Sequence, residues 1–194
     1  MRTTYVPLLR RRRTGVTNYR ARRKAITSHK ALLVIRISNK NAVAQFVRPG
    51  ARGDLVLSSA HSKELERLGW HGSRKSTPAC YLLGLLAGSK AARAGVKEAI
   101  AYNGVVPFIG GSRIAALLKG VSEAGVSVPV GEEAYPDDAR LKGKTIADYA
   151  SKLSSEDKEA YSRTFSRLNK EGFRPENYPS ETERVKSAIT KGSK

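Results

Sequence analysis

The chain has 194 residues, enough for one domain with extensions, and 40% of them are hydrophobic, which excludes a chain that is disordered throughout. Lys and Arg number 36 against 17 Asp and Glu, so the formal net charge is +19. Such a surplus repels itself in a free compact protein, and it therefore predicts a polyanionic partner: nucleic acid, an anionic membrane surface or an acidic protein.

Residues 1–30 are predicted to form a basic arm. Residues 1–53 contain eleven Arg and three Lys and no acidic residue. In a helix, Arg20, Arg23 and Lys24 would share one face. Like charges so close together destabilise an isolated helix, and a phosphate backbone removes that penalty, so we expect the arm to be disordered alone and ordered on its partner. The candidate contacts of the arm are Arg10, Arg11, Arg12, Arg13, Asn18, Tyr19, Arg20, Arg22, Arg23 and Lys24.

Three strands in a meander are predicted after the arm. Ala31–Ile37 is a β-branched run typical of a central strand, and turn-forming residues follow it. Asn41–Arg48 alternates in polarity and closes a hairpin with the first strand. A turn that contains Pro and Gly then leads to a third strand over Asp54–Ala60.

Helices are predicted to alternate with strands in the next part of the chain. Ser62 is expected to cap a short helix that ends at Gly69. A longer helix should run from Thr77-Pro78 to Gly95, because Pro suits the first helical turn and Gly suits the C-terminal stop.

The longer helix carries two glycines, and another strand and helix follow it. Gly84 and Gly88 lie four residues apart, a spacing that indicates close packing of this helix against a sheet. Val96–Tyr102 is predicted to be a strand, and Ser112 is expected to cap a helix that ends at Gly125. A hairpin start followed by alternating helices and strands indicates an α/β sandwich with a mixed sheet.

From about residue 129 the chain becomes polar, with mixed charges and several prolines. This low apolar content favours helices that fold along a partner or along the main domain. The predicted helices are Thr145–Leu153, Ser155–Asn169 and Ser180–Thr190. The predicted divisions of the chain are a basic arm over 1–30, an α/β core domain over 31–128 and a helical C-terminal extension over 129–194.

Residue chemistry argues against an enzyme, a metal site or a cofactor. The only cysteine is Cys80, so no intrachain disulfide can form, a reducing compartment is the simpler inference, and no His/Cys spacing matches a zinc site. Gly143-Lys144-Thr145 lacks the earlier glycine of a phosphate-binding loop. A two-metal nuclease needs clustered carboxylates, one of them on its first strand, which here carries Arg36. His61, at a strand-to-helix junction, could act as a base or contact RNA, but we predict instead that local hydrogen bonds hold it.

RNA is the polyanion that the arm fits best. We find no secretory signal and no apolar stretch of membrane length, and residues 10–30 lack the Trp or Phe of a membrane-surface anchor. Arginine suits a bidentate grip on phosphate, and Tyr19 adds a ring that can stack on an unpaired base. A nuclease and a general or DNA-compacting nucleic-acid protein are the alternatives, which a magnesium-dependent cleavage assay and competition with duplex DNA would separate.

Several ordered segments together resemble one family. They are Arg10–Arg13, Thr17–Lys24, Leu32–Ile37, Ser38–Gln45, Ser59–Ser62, Gly69-Trp70 and Pro78–Gly88. These segments resemble the archaeal/eukaryotic branch of the L-eighteen family of large-subunit ribosomal proteins, which bind 5S rRNA. The resemblance runs from about Arg10 to Tyr149, and the length of the chain is similar to that of archaeal members.

The resemblance implies a cytoplasmic, non-enzymatic protein that attaches 5S rRNA to 23S rRNA in the central protuberance of the large ribosomal subunit. Neighbouring large-subunit proteins are the other implied partners, with no membrane and no small-molecule substrate. The implied fold is an α/β three-layer sandwich with a mixed sheet and a non-catalytic, ribonuclease-H-like topology. The arm would enter the RNA junction while the hairpin faces 5S rRNA. The contacts implied beyond the arm are Arg36, Asn39, Lys40, Asn41 and Arg113.

Overall fold

A four-stranded sheet lies at the centre of the fold. The computed structural model describes residues 6–50 and 52–192. The strands are β1 (Ala31–Ile37), β2 (Ala42–Arg48), β3 (Leu55–His61) and β4 (Ala99–Tyr102), in the sheet order β3-β2-β1-β4. β1 pairs antiparallel with β2 and parallel with β4, and β2 pairs antiparallel with β3. The predicted mixed sheet and its hairpin start are confirmed, although β4 is shorter than predicted.

One further pairing continues the sheet beyond β4. Ser127 accepts a hydrogen bond from the backbone N–H of Ala99 at 3.0 Å and donates its own N–H to the carbonyl of Lys97 at 2.9 Å. It thereby forms an isolated parallel bridge with Glu98 on the outer side of β4.

Strand alternation divides the sheet into two faces with different covers. On the inner face, Leu33 of β1 and Phe46 of β2 are fully buried in the main hydrophobic core. On the outer face, Leu32 and Val47 pack with Ala25 in a second, smaller cluster. The helices of this part of the chain are α1 (Arg10–Arg13), α2 (Tyr19–Thr27), α3 (Glu64–Arg67), α4 (Thr77–Arg93) and α5 (Arg113–Glu123).

Glycines bring α4 and α5 unusually close together. A Cβ added at Gly84 would lie 2.1 Å from the carbonyl oxygen of Leu117, and one at Gly88 would lie 2.6 Å from the Cβ of Ala124. A Cβ at Gly120 of α5 would in turn lie 2.3 Å from the carbonyl oxygen of Tyr81. The predicted packing of Gly84 and Gly88 against a sheet is therefore wrong, because both residues admit a neighbouring helix.

The helix ends of α4 and α5 agree with the sequence, whereas that of α3 does not. Ser76 caps α4 and Ser112 caps α5 through their side chains, and both helices stop before a glycine with positive φ. The prediction that Ser62 caps α3 is wrong, since α3 begins after Lys63 without a side-chain cap. Ser62 is fully buried, and its hydroxyl accepts a hydrogen bond from the N–H of Ala42, so it ties the end of β3 to β2.

Five helices follow in the C-terminal part: α6 (Asp138–Lys142), α7 (Lys144–Glu156), α8 (Lys158–Thr164), α9 (Ser166–Lys170) and α10 (Tyr178–Lys191). The single helix predicted over Ser155–Asn169 is wrong. Asp157 takes an extended conformation, and its side chain accepts hydrogen bonds from Glu159 N and Ala160 N at 2.9 Å, so it ends α7 and starts α8. A second interruption at Phe165 separates α8 from α9 and leaves that ring buried.

The C-terminal helices pack against the main domain and contribute residues to its hydrophobic core. Tyr178 and Val185 of α10 are buried in the same cluster as the residues of α4. Lys186 of α10 donates to the hydroxyl of Tyr81 at 2.6 Å and lies 3.1 Å from the carboxylate of Glu123, which accepts the Tyr81 hydroxyl proton at 2.5 Å. Burial and the hydrogen bond to the Glu123 carboxylate raise the pKa of Tyr81 to about 12, although Lys186 acts in the opposite direction. One polar network therefore joins α4, α5 and α10.

We predict that Gly84→Ala destabilises the protein, because the added methyl group collides with the backbone of α5. Overpacking of this kind costs about 1–3 kcal/mol. The melting temperature measured by calorimetry should fall by roughly 5 °C. Ser89→Ala on the same helix is the control and should melt within about 1 °C of the unaltered protein. Equal melting of both variants would contradict the close approach of the two helices.

Candidate nucleic-acid interface

The outer face of the sheet is only half covered by helix α2. Ala25 packs against the part of the face that contains Leu32. The strand register places Arg36 of β1, Val43 of β2 and His61 of β3 side by side on the same face, further along the strands. Arg36 is exposed and the other two are half-buried. Helix α2 therefore leaves an open strip of the sheet beside it, and the exposed Arg36 lies at one end of that strip.

Asn18 sets the position of α2. Its side-chain oxygen accepts hydrogen bonds from the backbone N–H groups of Arg20 and Ala21, both at 3.1 Å. This oxygen satisfies two of the free N–H groups that every helix start presents. Asn18 was predicted to contact RNA, and the structure gives it a capping role whose acceptor is already occupied.

The cations of α2 point in two directions. Arg20, Arg23 and Lys24 are exposed, and the helical conformation gives them the shared face that their spacing predicts. Arg22 turns toward the turn before β3, where its Nη2 lies 2.6 Å from Oδ1 of Asp54. The hydrogen bond and charge of Asp54 raise the pKa of Arg22 above its ordinary value. Arg22 is therefore held in place before any ligand arrives.

A cleft of about 580 Å³ lies between the arm and the ends of the central strands. It is bounded by the α1–α2 segment, by the ends of β1 and β4, and by the turn before β3. The polar and aromatic side chains that line it are Arg11, Thr17, Tyr19, Arg22, Arg36, Asp54, Tyr102 and Asn103. We call it the arm cleft.

A second cleft of about 340 Å³ shares Arg36 and Asn103 with the arm cleft. It extends along the loop after β4 to Arg113 at the start of α5. That loop exposes Val106 and Ile109, with 55% and 62% of their surfaces accessible. The two clefts together make one groove, with an arginine at its junction and further arginines toward each end.

The structure brings some of the predicted contacts together and leaves others apart. Arg11, Tyr19, Arg22 and Arg36 meet in the arm cleft, and Arg113 joins Arg36 in the second cleft. The other three residues of α1 are exposed and line neither cleft. They are Arg10, Arg12 and Arg13.

The hairpin residues lie at the tip between β1 and β2. Asn39 and Lys40 are exposed there. Asn41 is half-buried, and its backbone closes the turn with Ser38. Its side-chain oxygen is buried without a hydrogen-bond partner among the residues that the structure describes. The tip thus presents one cation and polar side chains to a partner.

Four of the polar and aromatic residues that line the arm cleft were not predicted as contacts from the sequence: Thr17, Asp54, Tyr102 and Asn103. Tyr102 ends β4, Asn103 follows it, and Asp54 precedes β3. The Asn-Gly pair at 103–104, directly after a strand, marks a tight turn and could have indicated a side chain at the strand end. Asp54 and Arg22 are separated by 32 positions in the sequence, and no local sequence pattern predicts their contact.

His61, Lys90 and Arg93 are held by hydrogen bonds within the fold. The Nδ1 of His61 accepts a hydrogen bond from the N–H of Lys63 at 3.0 Å, so the predicted local role of this histidine is confirmed. Lys90 donates to Glu64 at 2.5 Å and to the carbonyl of Ser59 at 3.2 Å. Arg93 donates to the carbonyl of Gly192.

Two negative findings apply to the described part of the chain. Within residues 6–50 and 52–192, no three His, Cys, Asp or Glu side chains lie close enough together to hold a metal ion. In the same ranges, no helix combines the length and apolar character that crossing a bilayer requires.

Comparison with known proteins gives consistent matches over most of the chain. A family profile described as ribosomal large subunit proteins 60S L5 and 50S L18 matches residues 4–107. The chain is 43% identical to the large ribosomal subunit protein uL18 of Thermofilum pendens over 181 residues, which cover 93% of this chain and 92% of that protein. It is 40% identical to the uL18 protein of Methanothermobacter thermautotrophicus over 185 residues, 95% of each chain.

We predict that Asn18→Ala loosens α2, because the two N–H groups capped by Asn18 lose their acceptor. Loss of such a cap costs about 1 kcal/mol. Hydrogen–deuterium exchange of the α2 backbone should therefore quicken roughly fivefold, since 1.4 kcal/mol corresponds to tenfold. Asn18→Ser retains a capping oxygen and should exchange like the unaltered protein. Unchanged exchange in the alanine variant would show that the cap does not hold the helix.

Proposed function

The chain belongs to the family of large-subunit ribosomal proteins that includes 60S L5, 50S L18 and uL18, and we propose on this premise that it binds 5S rRNA and attaches it to 23S rRNA in the central protuberance. Membership makes it a structural, non-enzymatic component of the large ribosomal subunit, and hence of the ribosome in the cytoplasm. The family predicted from the sequence is thereby confirmed, and so is the prediction that the protein is not an enzyme.

The arginine-lined groove is the observation that carries this proposal. It joins the arm to the outer face of the sheet, with Arg36 at the junction of its two clefts. Only four acidic residues occur in the first 122 positions. Phosphate contacts position a protein on RNA, and exposed bases and shape give selectivity. A groove with cations, aromatic rings and amides offers both kinds of contact.

We propose that the arm and the hairpin contact different parts of the RNA. Arg10, Arg12 and Arg13 of α1 are exposed and lie outside both clefts, so they are free to reach a second strand. The hairpin tip is held by the sheet and offers Lys40 at a fixed place. The proposed RNA contacts are Arg10, Arg11, Arg12, Arg13, Asn18, Tyr19, Arg20, Arg22, Arg23, Lys24, Arg36, Asn39, Lys40, Asn41 and Arg113.

We also propose that the three predicted divisions of the chain are functional units. The arm over 1–30 grips RNA, the core over 31–128 fixes the groove, and the extension over 129–194 stiffens the core and meets neighbouring large-subunit proteins. Positions 1–5 of the arm lie outside the described residues. In support, α10 joins the core on the side of α4, away from the open strip of the sheet.

The same resemblance suggests a non-catalytic, three-layer ribonuclease-H-like topology for the core. The sheet order β3-β2-β1-β4, with β4 parallel to β1 and a further parallel bridge at Ser127, supports this proposal. Helix α2 on one face and α4 with α5 on the other supply the two outer layers.

We predict that replacing Arg10–Arg13 by alanine weakens 5S rRNA binding and flattens its salt dependence. Each phosphate contact contributes about −0.7 to the slope of log affinity against log salt on single strands. If about eight phosphates are neutralised, the slope of the unaltered protein is on the order of −6. Four lost contacts should reduce its magnitude by about three. Filter binding at several salt concentrations measures both quantities.

Replacing the four arginines is a sharper test than deleting residues 1–24, because the deletion would also remove Asn18 and cut through α2. A matched control replaces four exposed cations of the C-terminal helices: Lys144, Lys158, Arg163 and Lys170. That variant should keep the original slope. If the two quadruple variants have equal slopes, α1 does not contact RNA.

We predict that Arg36→Glu combined with Lys40→Glu abolishes most 5S rRNA binding without unfolding the domain, since both residues are exposed. The reversed charges repel phosphate at the groove junction and at the hairpin tip. Arg163→Glu with Lys170→Glu is the control. A collapsed circular dichroism spectrum would show that the pair is structural, and equal affinity for duplex DNA and 5S rRNA would favour a general nucleic-acid protein.

A further inference from the structure

A carboxylate stands in a surface that is otherwise rich in cations. Asp54 is the only acidic side chain among the described residues that line the arm cleft. Its Oδ1 lies 2.6 Å from Arg22, and about a quarter of each side chain is accessible. A surface made only to grip phosphate is weakened by a carboxylate, because like charges repel. Asp54 therefore indicates that this cleft selects something other than phosphate.

We propose that the arm cleft receives one unpaired base of the bound RNA, a base that carries an exocyclic amino group. The inference rests on the proposed function and specifies what this part of the groove reads. The phosphates of the same nucleotide would stay near Arg11 and Arg36, and the base would enter toward Asp54.

One oxygen of the Asp54 carboxylate is available as a hydrogen-bond acceptor. Arg22 uses Oδ1, and Oδ2 accepts no hydrogen bond from the part of the chain that the structure describes. Carboxylates accept from base amino groups, whereas the phosphate groups of RNA have no hydrogen-bond donor. The ion pair with Arg22 fixes the carboxylate and offsets its charge, so the RNA backbone can pass close by.

Aromatic and amide groups complete the cleft. Tyr19 and Tyr102 line the cleft and are half-buried, so part of each ring is accessible for a base to stack on. The side-chain oxygen of Asn103 is buried and has no partner among the described residues. A buried acceptor without a donor costs free energy, and a turn of the amide toward the cleft would let a base N–H satisfy it.

The size of the cleft fits one nucleotide rather than a duplex. Its volume of about 580 Å³ falls within the range of small-ligand sites. A base can reach the interior only if it is unstacked and unpaired, and single-stranded loops and bulges of folded RNA supply such bases. The groove outside the cleft is left to hold the flanking backbone.

The test compares Asp54→Asn with the unaltered full-length protein on two RNAs. One is 5S rRNA and the other is polyuridine of similar length, whose bases lack amino groups. We expect affinity for 5S rRNA to fall about tenfold, the size of a lost charge-assisted hydrogen bond. Affinity for polyuridine should stay equal or rise, because a repelling charge is gone. Asp148→Asn, an exposed acid on α7, is the control and should change neither affinity.

Chemical probing of the Watson–Crick edges gives a second readout. One unpaired amino-bearing base of 5S rRNA should be protected by the unaltered protein and become reactive with Asp54→Asn, while the other protections persist. Asn103→Ala should expose the same base and lower affinity about fivefold, with no change in the salt slope, because no phosphate contact is lost. Asn103→Ala leaves the Arg22–Asp54 ion pair intact, so it tests the base site even if Asp54→Asn destabilises the protein.

The outcomes separate the two proposals. Equal or tighter 5S rRNA binding by Asp54→Asn, or an equal loss on both RNAs, overturns the base site and leaves the proposed function standing. An unaltered protein that binds polyuridine as tightly as 5S rRNA overturns the proposed function and the base site together.

Discussion

Mutual repulsion among cations is the constraint that shapes this molecule. The basic run of α1, the exposed cations of α2 and Arg36 lie on or beside the outer face of the sheet. Among the residues that the structure describes, Asp54 is the one carboxylate that lines the arm cleft. Most acidic residues occur after position 122, where they form ion pairs such as Lys186–Glu123 and Lys142–Glu183. The charge is thus segregated by region, and the basic side suits a polyanionic partner.

Close packing on the inner face gives the basic side a fixed shape. The glycines of α4 and α5 let the two backbones touch, and α10 is tied to both helices through Tyr81, Glu123 and Lys186. The hairpin that carries Arg36 grows from strands buried against this layer. A preformed hairpin loses little conformational entropy on binding, so the entropy cost falls mainly on the arm.

Local sequence patterns predicted the parts of the fold that local physics decides. The hairpin, the capped starts of α4 and α5 and the glycine stops depend on neighbours within a few residues, and they agree with the structure. The errors at Ser62, Gly84 and Asp157 have two causes. At Ser62 and Gly84 a distant partner decided the role, and at Asp157 a side-chain cap competed with an otherwise continuous helical pattern.

The charge of the candidate site could be predicted from the sequence, whereas its geometry could not. The sequence and the resemblance predicted which arginines contact RNA, but phosphate contacts are similar on every RNA and give no selectivity between RNAs. Choice requires donors and acceptors at fixed positions, and Asp54, Tyr102 and Asn103 come together only when β3 and β4 flank the central hairpin. We therefore propose that selectivity depends on residues that the sheet brings together, and that affinity depends mainly on the cations of the arm.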